Sequence, residues 1–410
     1  MRNDSRVDIL DPEAIVIGAG PAGLLAAAEI AQSGHQVQVL EEHPEIGKPD
    51  HCAGLLSASG LKLLGLKPPP DVIQNRVSGA KIFSPAGLSL LIERGRREAL
   101  VVNRAGFDSW LADRARDNGA DIKTQAKVLG IRTSESHTKI LRIREKGMSS
   151  ERSAQVIINA EGSRCQISKA LSLPLVSRRN KLPAYQYEVK GVDIDDDIVE
   201  MYYGRQIAPG FFAWLIPMGE GRARVGLAAK DSAKPRLKAA INHHPVLRER
   251  LKGATLERGF GGIVLVGLPV KKSFAQGILV VGDAAGMVKA TTGGGVVMGG
   301  IAAQIAGKTV TKALAERDFS HKSMSHYERG WRSRTLKDLR MMYVAQRALS
   351  VLSDKGLNSI IEDANSMGLV EIVKEEGDMD MQHKVIARLM RNPRTFVLGL
   401  KALKYIDPLI

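Results

Sequence analysis

The sequence predicts an α/β protein in which a dinucleotide-binding domain is joined to an antiparallel-sheet domain and a C-terminal helical region. Three observations support this prediction. A glycine-rich turn follows a short apolar run near the N-terminus, alternating polar and apolar residues occupy about 184–270, and a helical pattern begins past residue 300. We expect the dinucleotide domain at 1–180 and 269–310, with a small strand insertion near 75–100, the sheet domain at 181–268 and the helical region at 311–410.

The composition is that of an ordinary globular protein. The 410 residues are 44% hydrophobic and 25% charged, which excludes a disordered or collagen-like chain. Two cysteines, Cys52 and Cys165, can form one disulfide at most. They also exclude a cysteine-ligated iron–sulfur cluster or a four-cysteine zinc site. We therefore expect a fold that rests on its apolar core and holds no metal.

The charge and the apolar runs bear on location. Lys and Arg number 59 against 44 Asp and Glu, a formal net charge of +15. The longest uncharged apolar runs, such as 14–28 and 293–307, are shorter than the roughly 18–20 residues that span a bilayer. Acidic residues interrupt the N-terminus, unlike a signal peptide. We expect a cytoplasmic protein whose basic surface is either simply solvated or in contact with the inner face of the cell membrane.

The first element is the apolar run 14–17, which predicts a strand, and the glycine-rich turn after it leads into a helix. Gly18 allows the tight turn, Gly20 lets backbone approach a diphosphate, and Gly23 lets the helix pack closely on the strand. A second apolar run ends in Glu41, about twenty residues on, where an acid can bind ribose hydroxyls. The segment therefore predicts an FAD or NAD site, with a merely structural glycine turn as the alternative.

A second strand-to-turn pattern occupies 277–286 and contains Asp283. If both turns reach one ligand, the ligand is long and two-ended, which suits FAD better than NAD. The alternative is an Asp that caps an ordinary helix. Between the two turns, Arg104 opens a predicted helix and could reach a cofactor phosphate or ribose, and a buried run at 156–160 meets Gly162 at another turn.

The remaining segments are less specific. Strand patterns at 185–189, 199–204 and 222–227 carry several of the few aromatic residues, which suits either a sheet core or a pocket wall. The segments 384–391 and 396–404 mix apolar residues with Lys and Arg. Such a helix could dock on anionic lipid or pack on the protein with its basic residues in water.

Taken together, these motifs resemble the geranylgeranyl reductase family of flavoproteins over most of 14–310, and above all its archaeal branch, which saturates the isoprenoid chains of membrane ether lipids. The resemblance implies an FAD-binding, Rossmann-like domain of the hydroxybenzoate hydroxylase kind, with the sheet domain as substrate domain. It implies FAD as cofactor, an isoprenoid lipid or related polyprenyl compound as substrate, and no nucleic acid as partner. The implied cofactor contacts are Gly18, Gly20, Pro21, Ala22, Gly23, Glu41, Glu42, Cys52, Ala53, Arg104, Val128, Gly162, Asp283, Ala284, Gly286, Gly294, Gly295 and Val296.

The resemblance also implies substrate-side residues. The family's aromatic motif has a tyrosine, a tryptophan and a proline at the spacing of Phe212, Trp214 and Pro217, so a phenylalanine replaces the tyrosine here. Cys52 matches a cysteine near the flavin of archaeal members, although a buried inert cysteine is an equal alternative. Cys52, Phe212 and Trp214 are thus the candidates for the catalytic pocket. The expected chemistry is hydride transfer from reduced flavin N5, with a proton from water, Cys52 or a pocket tyrosine.

A further departure concerns the turn after the 156–160 strand. Glu161 and Cys165 stand where related flavoproteins have an aspartate and a serine, which puts direct reduction by NADPH in doubt. NADPH, ferredoxin or another electron donor therefore stay open.

Two other functions stay open at this stage. A flavin-dependent monooxygenase or halogenase of the same fold is the main alternative, since halogenases have a Trp-x-Trp-x-Ile-Pro motif in which Phe212 would replace the first tryptophan, and Lys48 does not stand in the setting of their catalytic lysine. A non-catalytic lipid carrier or nucleic-acid binder is the other alternative, although the sequence has no helix-turn-helix or zinc-finger signature.

Overall fold

The structure is a computed structural model that describes residues 11–395 together with 398, 401, 404 and 405. The strands are β1 (Ala14–Ile17), β2 (Val37–Leu40), β3 (Leu55–Ser57), β4 (Ile73–Val77), β5 (Gly79–Phe83), β6 (Ser89–Glu93), β7 (Ala99–Val102), β8 (Asp121–Lys123), β9 (Ala126–Thr133), β10 (Lys139–Glu145), β11 (Met148–Ala154), β12 (Val156–Asn159), β13 (Lys181–Lys190), β14 (Ile198–Tyr202), β15 (Ala213–Gly219), β16 (Arg222–Ala228), β17 (Thr255–Leu265), β18 (Phe274–Ala275) and β19 (Ile278–Val280). The helices are α1 (Pro21–Gln32), α2 (Ala58–Leu63), α3 (Arg104–Asp117), α4 (Gln166–Ala170), α5 (Ala233–His243), α6 (Pro245–Arg250), α7 (Val296–Glu316), α8 (His321–Ser350), α9 (Asp354–Ser366), α10 (Leu369–Glu376) and α11 (His383–Arg391).

A six-stranded sheet in the order β18-β19-β12-β1-β2-β8 forms the dinucleotide domain. Its central strands are parallel, with Val16 of β1 opposite Ile158 of β12 and Val39 of β2. All four residues of β1 are buried, as expected for a strand covered on both faces. Because the strands are parallel, the turns that follow β1, β12 and β19 meet at one edge of the sheet. The predicted α/β fold is confirmed.

A seven-stranded sheet in the order β17-β13-β16-β15-β14-β5-β6 forms the second layer. It is antiparallel except where β5 and β14 run parallel, which confirms the predicted mostly antiparallel sheet. Two helices, α5 and α6, interrupt the region that the sequence analysis assigned to strands. The reason is helical spacing of the apolar residues, since Leu237, Ala240 and Leu247 are fully buried in the cluster that covers this sheet.

The C-terminal region is helical, as predicted. The 30-residue helix α8 buries Tyr327 and Trp331 against the dinucleotide domain, where the Tyr327 hydroxyl donates to the carbonyl oxygen of Val280 at 2.6 Å. Helix α11 buries Val385. Of the predicted helical segment 396–404, Phe396 and Val397 lie outside the described residues. None of the described helices combines the length and the apolarity needed to cross a membrane.

Candidate active site

The turn between β1 and α1 has the geometry of a diphosphate cradle. Gly18 has φ +98°, and a Cβ there would lie 2.5 Å from the carbonyl oxygen of Ala160. A Cβ at Gly23 would lie 2.0 Å from the carbonyl oxygen of Gly18, so helix and strand pack too closely for a side chain. A Cβ at Gly20 would meet no protein atom within 4 Å. The backbone of Gly20 therefore faces open space at the N-terminus of α1, where a diphosphate fits.

The acid at the end of β2 is held against the same turn. Glu41 accepts hydrogen bonds from the backbone N–H of Ala19 at 2.8 Å and from that of His43 at 3.0 Å. These bonds fix the carboxylate beside the turn, which suits binding of a ribose. The next residue, Glu42, points instead to Lys127 and Arg164, at 2.7 and 2.8 Å. Burial opposes the negative charge of Glu42, but these two cations hold the pKa of its carboxyl below the ordinary value.

Val128 follows Lys127 in β9, and its side chain is buried in the cluster that contains Leu40. Any contact of Val128 with a ligand would therefore come from its backbone. The predicted residues Glu42 and Val128 thus lie together at the outer end of the site, next to the basic side chains of Lys127 and Arg164.

The second glycine turn meets the first. Gly282 has φ +65°, and a Cβ there would lie 3.0 Å from the Cβ of Ala22 in α1. A Cβ at Gly295 would lie 2.7 Å from Oδ1 of Asp283, so Asp283 faces the start of α7. Ala284 is buried, Gly286 has φ +69°, Gly294 precedes Gly295, and Val296 is the first residue of α7. The two turns therefore converge on one elongated site.

Arg104, the first residue of α3, pairs with Asp108 in the same helix. Its Nη2 lies 3.0 Å from both carboxylate oxygens of Asp108, one helical turn further along α3. Burial disfavours the charged guanidinium, but Asp108 and the neighbouring Cys52 raise the pKa of Arg104. Burial also raises the pKa of Asp283, although the charge of Arg104 opposes this rise. Three predicted ligands, Cys52, Arg104 and Asp283, are thus brought to one region.

A glutamine of the antiparallel sheet links this region to the aromatic motif. Gln186 in β13 donates from Nε2 to the carbonyl oxygen of Cys52 at 3.0 Å. Its Oε1 accepts from the indole Nε1 of Trp214 at 3.3 Å. Ala53, the residue after Cys52, packs against the cluster that contains Trp214. The sheet therefore positions the Cys52 loop through a side chain that is itself 3% exposed.

Arg224 in β16 also binds the loop that contains Cys52, and its side chain is 2% exposed. Its Nη1 donates to the carbonyl oxygens of Ala53 at 3.0 Å and Val102 at 3.2 Å. The remaining donors reach Gln74 Oε1 at 2.8 Å and Glu188 Oε1 at 3.4 Å. A buried charge with this many partners fixes the position of the Cys52–Gly54 loop.

An aromatic cluster forms the other wall of the site. The rings of Phe211 and Phe212 stack with centroids 4.1 Å apart, and Phe212 also contacts Tyr203 at 5.3 Å and Trp214 at 6.3 Å. A Cβ at Gly293 would lie 3.5 Å from Cζ of Phe211. The aromatic cluster therefore touches the glycine loop that follows Asp283.

A small cavity lies behind this cluster. Its volume is about 30 Å³, and the walls are formed by Tyr203, Arg205, Phe212, Thr291, Gln346 and Leu357. This space suffices for about one water molecule. It is mostly apolar, as expected for the substrate pocket, but it is much smaller than an isoprenoid chain.

Comparisons with known proteins agree with this geometry. A family model described as an FAD binding domain matches residues 11–314. The chain is 31% identical over 384 residues to digeranylgeranylglycerophospholipid reductase 2 of Methanopyrus kandleri, which covers 92% of this chain and 96% of the relative. The chain belongs to the digeranylgeranylglycerophospholipid reductase family. The predicted cofactor, FAD, and the predicted class, an FAD-dependent oxidoreductase, are confirmed.

Solved structures show the same fold for this reductase-family chain. A geranylgeranyl bacteriochlorophyll reductase-like protein from Thermoplasma acidophilum superposes with a TM-score of 0.85 at 27% identity and covers 96% of this chain and 98% of its own. A myxobacterial chondrochloren halogenase superposes with a TM-score of 0.70 at 19% identity, with 96% and 97% covered. The second likeness shows the fold alone.

Lys48 of this reductase-family chain lies away from the aromatic cavity. Its Nζ is 2.5 Å from Glu45, and its side chain is 61% exposed. Lys48 lines an open groove of about 670 Å³ between the loop of Asp50 and the edge of the antiparallel sheet, together with Arg222 and Arg258. This placement does not support a catalytic lysine of the halogenase kind.

The two departures at the third turn have structural explanations. Glu161 accepts hydrogen bonds from the backbone N–H of Ile167 at 2.7 Å and of Ser168 at 2.8 Å, so it caps the start of α4. Gly162, with φ +73° and open space around it, remains available to a ligand. Cys165 is buried, and burial raises the pKa of its thiol although the nearby Lys181 lowers it.

Several residues of the site escaped the sequence analysis. Lys181 lies 3.5 Å from the Cys165 sulfur, and its charge also acts on Asp283. A lone lysine at a strand start carries no sequence signal, and the same holds for Gln186 and Arg224, which act over more than 120 residues. Asp108 was missed too, although a signal for it existed: it stands four residues after Arg104, which is the spacing of a helical ion pair.

We predict that Asp283→Asn stabilises the FAD-free protein near neutral pH. Because burial raises the pKa of Asp283, the folded protein binds its proton more tightly than the unfolded chain does. The free energy of unfolding of the wild-type protein therefore falls as the pH rises from 3.8, the ordinary pKa of an aspartate, through the raised pKa of Asp283. At still higher pH it stays at this lower value. Urea unfolding of the apoprotein at several pH values measures this, and the gain should shrink as the pH is lowered.

Asp231→Asn is the matched control with the opposite sign. The hydrogen bond from Arg236 lowers the pKa of Asp231, whose side chain is 60% exposed, so its loss should slightly destabilise the protein above the ordinary pKa. Equal effects of both substitutions on the pH dependence would contradict the assignment of Asp283 to a buried site.

Proposed function

We propose that this protein saturates isoprenoid double bonds of membrane ether lipids, or of related polyprenyl compounds. The observation that carries the proposal is the contact between the glycine loop after Asp283 and the aromatic cluster around Phe212. It puts an apolar wall beside the part of the site where the redox end of FAD is expected. The relative from Methanopyrus kandleri bears the name of a digeranylgeranylglycerophospholipid reductase, which supports the same substrate class.

The residues present divide the work of binding FAD. Gly20 and the N-terminus of α1 would hold the diphosphate, Glu41 the ribose, and Arg104, Asp283 and Gly295 the inner half. When bound and reduced, FAD supplies hydride to one carbon of an alkene. The convergence of the two glycine turns at Ala22 and Gly282 fits a ligand of this length.

The aromatic wall would exclude water and hold an isoprenoid chain by its apolar surface. An isolated alkene also needs a proton on its second carbon. Burial raises the pKa of Tyr203, so its hydroxyl keeps its proton at neutral pH. The ring centroid of Tyr203 lies 5.3 Å from that of Phe212. Tyr203 thus joins Cys52 and water as a candidate donor, in place of the hydroxyl that Phe212 lacks.

The proposal also covers the electron donor and the location. Glu161 is engaged in capping α4, which favours a donor such as ferredoxin over direct reduction by NADPH. The exposed Lys384, Arg388 and Arg391 of α11 support contact with the anionic inner face of the cell membrane. Anaerobic titration of the flavin absorbance with NADPH and with reduced ferredoxin separates the two donors.

The function is tested with FAD-loaded protein reduced by dithionite under anaerobic conditions. Mass spectrometry of a geranylgeranyl ether lipid should show the gain of two hydrogens for each double bond that is reduced. Substrate left unchanged here, but hydroxylated or halogenated in air with matching oxygen uptake, would establish the monooxygenase or halogenase alternative instead.

A further inference from the structure

Helix α8 carries a stripe of unpaired cations along its outer face. Lys322, Arg329, Lys337, Arg340 and Arg347 follow one another at intervals of seven, eight, three and seven residues, which places them on one side of a helix. All five are exposed. From Lys322 to Arg347 the stripe is about 38 Å long at the rise of an α-helix. Tyr327 and Trp331 on the opposite side are fully buried.

Among the described residues, no carboxylate forms an ion pair with this cation stripe, although the charge of Asp318 interacts with that of Lys322 at its first end. The two acids of α8 are both engaged elsewhere. Glu328 accepts from Arg332 at 2.9 Å, and Asp338, which is 2% exposed, accepts from the backbone N–H of His383 at 2.8 Å. From Arg329 to Arg347 the stripe is therefore free to attract an external anion.

One feature distinguishes this face from an ordinary solvated helix surface. Val344 lies within the stripe and is 55% exposed. Helix α11 contacts α8 on the opposite, buried side, where the backbone N–H of His383 donates to Asp338. Basic residues with interspersed exposed apolar side chains are typical of a surface that binds at a lipid interface.

The cation stripe also ends at the aromatic cavity. Arg347, its last member, lies between Gln346 and Leu349, which both line that cavity. Gln346 donates to the carbonyl oxygen of Gly210 at 2.7 Å and so joins the end of α8 to the aromatic motif. A ligand that approached along α8 would thus reach the cavity at the end of this helix.

We propose that the outer face of α8 docks on an anionic lipid bilayer and delivers the lipid from there to the cavity. This inference rests on the proposed function, because it names the surface from which the substrate comes. A nucleic acid would also attract the cations, but the exposed Val344 gains nothing from a phosphate backbone, whereas it can bury in the interfacial region of a bilayer.

The test is sedimentation of FAD-loaded protein with vesicles of phosphatidylcholine, with and without phosphatidylglycerol. The triple substitution Arg329→Gln, Lys337→Gln and Arg340→Gln should weaken binding to anionic vesicles by about a hundredfold, since each cation near such a surface contributes a factor of about five. Binding of wild type should also fall as salt is raised. The control is Arg142→Gln, Arg144→Gln and Lys146→Gln, three exposed cations in β10 and the turn that follows it, which should leave binding unchanged.

Three outcomes would overturn the inference: equal loss of binding in both triple variants, no dependence of wild-type binding on phosphatidylglycerol, or loss of binding to a DNA duplex without loss of vesicle binding. The reductase assay on lipid dispersed in detergent separates this inference from the proposed function. The α8 variant should keep its activity there, because the substrate no longer comes from a bilayer. Wild-type protein that binds vesicles but reduces no lipid in detergent would refute the proposed function and leave the docking surface standing.

Discussion

Gly20→Ala should weaken FAD binding by about 10- to 100-fold while the apoprotein keeps its fold. The added Cβ meets no protein atom within 4 Å, and the helix-capping conformation of Gly20, φ −74° and ψ 172°, is one that alanine adopts. The added Cβ occupies instead the space through which the diphosphate approaches the backbone. A hydrogen bond to a charged phosphate is worth about 1.5–3 kcal/mol, and its loss sets the size of the effect. Titration of apoprotein with FAD, followed by quenching of flavin fluorescence, measures it.

Substitutions at two other glycines make this experiment specific. Gly23→Ala puts a Cβ 2.0 Å from the carbonyl oxygen of Gly18, so it should destabilise the apoprotein itself by at least about 3 kcal/mol. Gly130→Ala in β9, where a Cβ would also meet open space, should change neither FAD affinity nor stability by more than about 1 kcal/mol. If Gly20→Ala bound FAD as wild type does, the diphosphate would have to lie elsewhere.

Arg224→Met should lower the free energy of unfolding by about 3–5 kcal/mol. The substitution keeps much of the side-chain volume but removes four hydrogen bonds. It leaves the carbonyl oxygens of Ala53 and Val102 unpaired and Glu188 without its buried partner. Because native proteins are stable by only about 5–15 kcal/mol, this is a large share of the total. Urea unfolding at neutral pH measures the change.

Arg222→Met on the same strand is the matched control. The side chain of Arg222 is 43% exposed and pairs with Glu257 at 3.0 Å, and such surface pairs contribute about 0–1 kcal/mol. Arg224→Lys keeps the charge with fewer donors and should fall between the two. Equal destabilisation by Arg222→Met and Arg224→Met would show that burial of Arg224 has no part in holding the Cys52 loop.

The glycine turns were predictable because their chemistry is local. A strand, a tight turn and a helix follow one another within a few residues, and Gly18, Gly23 and Gly282 are required by contacts that any side chain would break. Glu41 could be placed because the second strand of this unit has a regular length. The helices α5 and α6 were missed, since a short region of mixed pattern was assigned to strands as a whole.

The outer face of α8 shows a different limit. The spacing of its five cations is visible in the sequence, but exposure and the lack of an acidic partner depend on how α7, α8 and α11 pack. The same is true of the cavity, whose volume of about 30 Å³ follows from the position of α8 and α9 against the aromatic cluster. From the sequence pattern alone, the aromatic residues suited either a sheet core or a pocket wall.

The amino-acid sequence alone determined the two glycine turns, because each depends on residues a few positions apart and on backbone geometry that glycine permits. It also indicated FAD, through the presence of two such turns and the resemblance to a flavoprotein family. Tertiary structure alone decided how these parts are joined. Gln186 and Arg224 reach the Cys52 loop across 134 and 171 residues. Such contacts form only when two sheets pack together, since a buried side chain takes its partners from whatever backbone the fold brings near it.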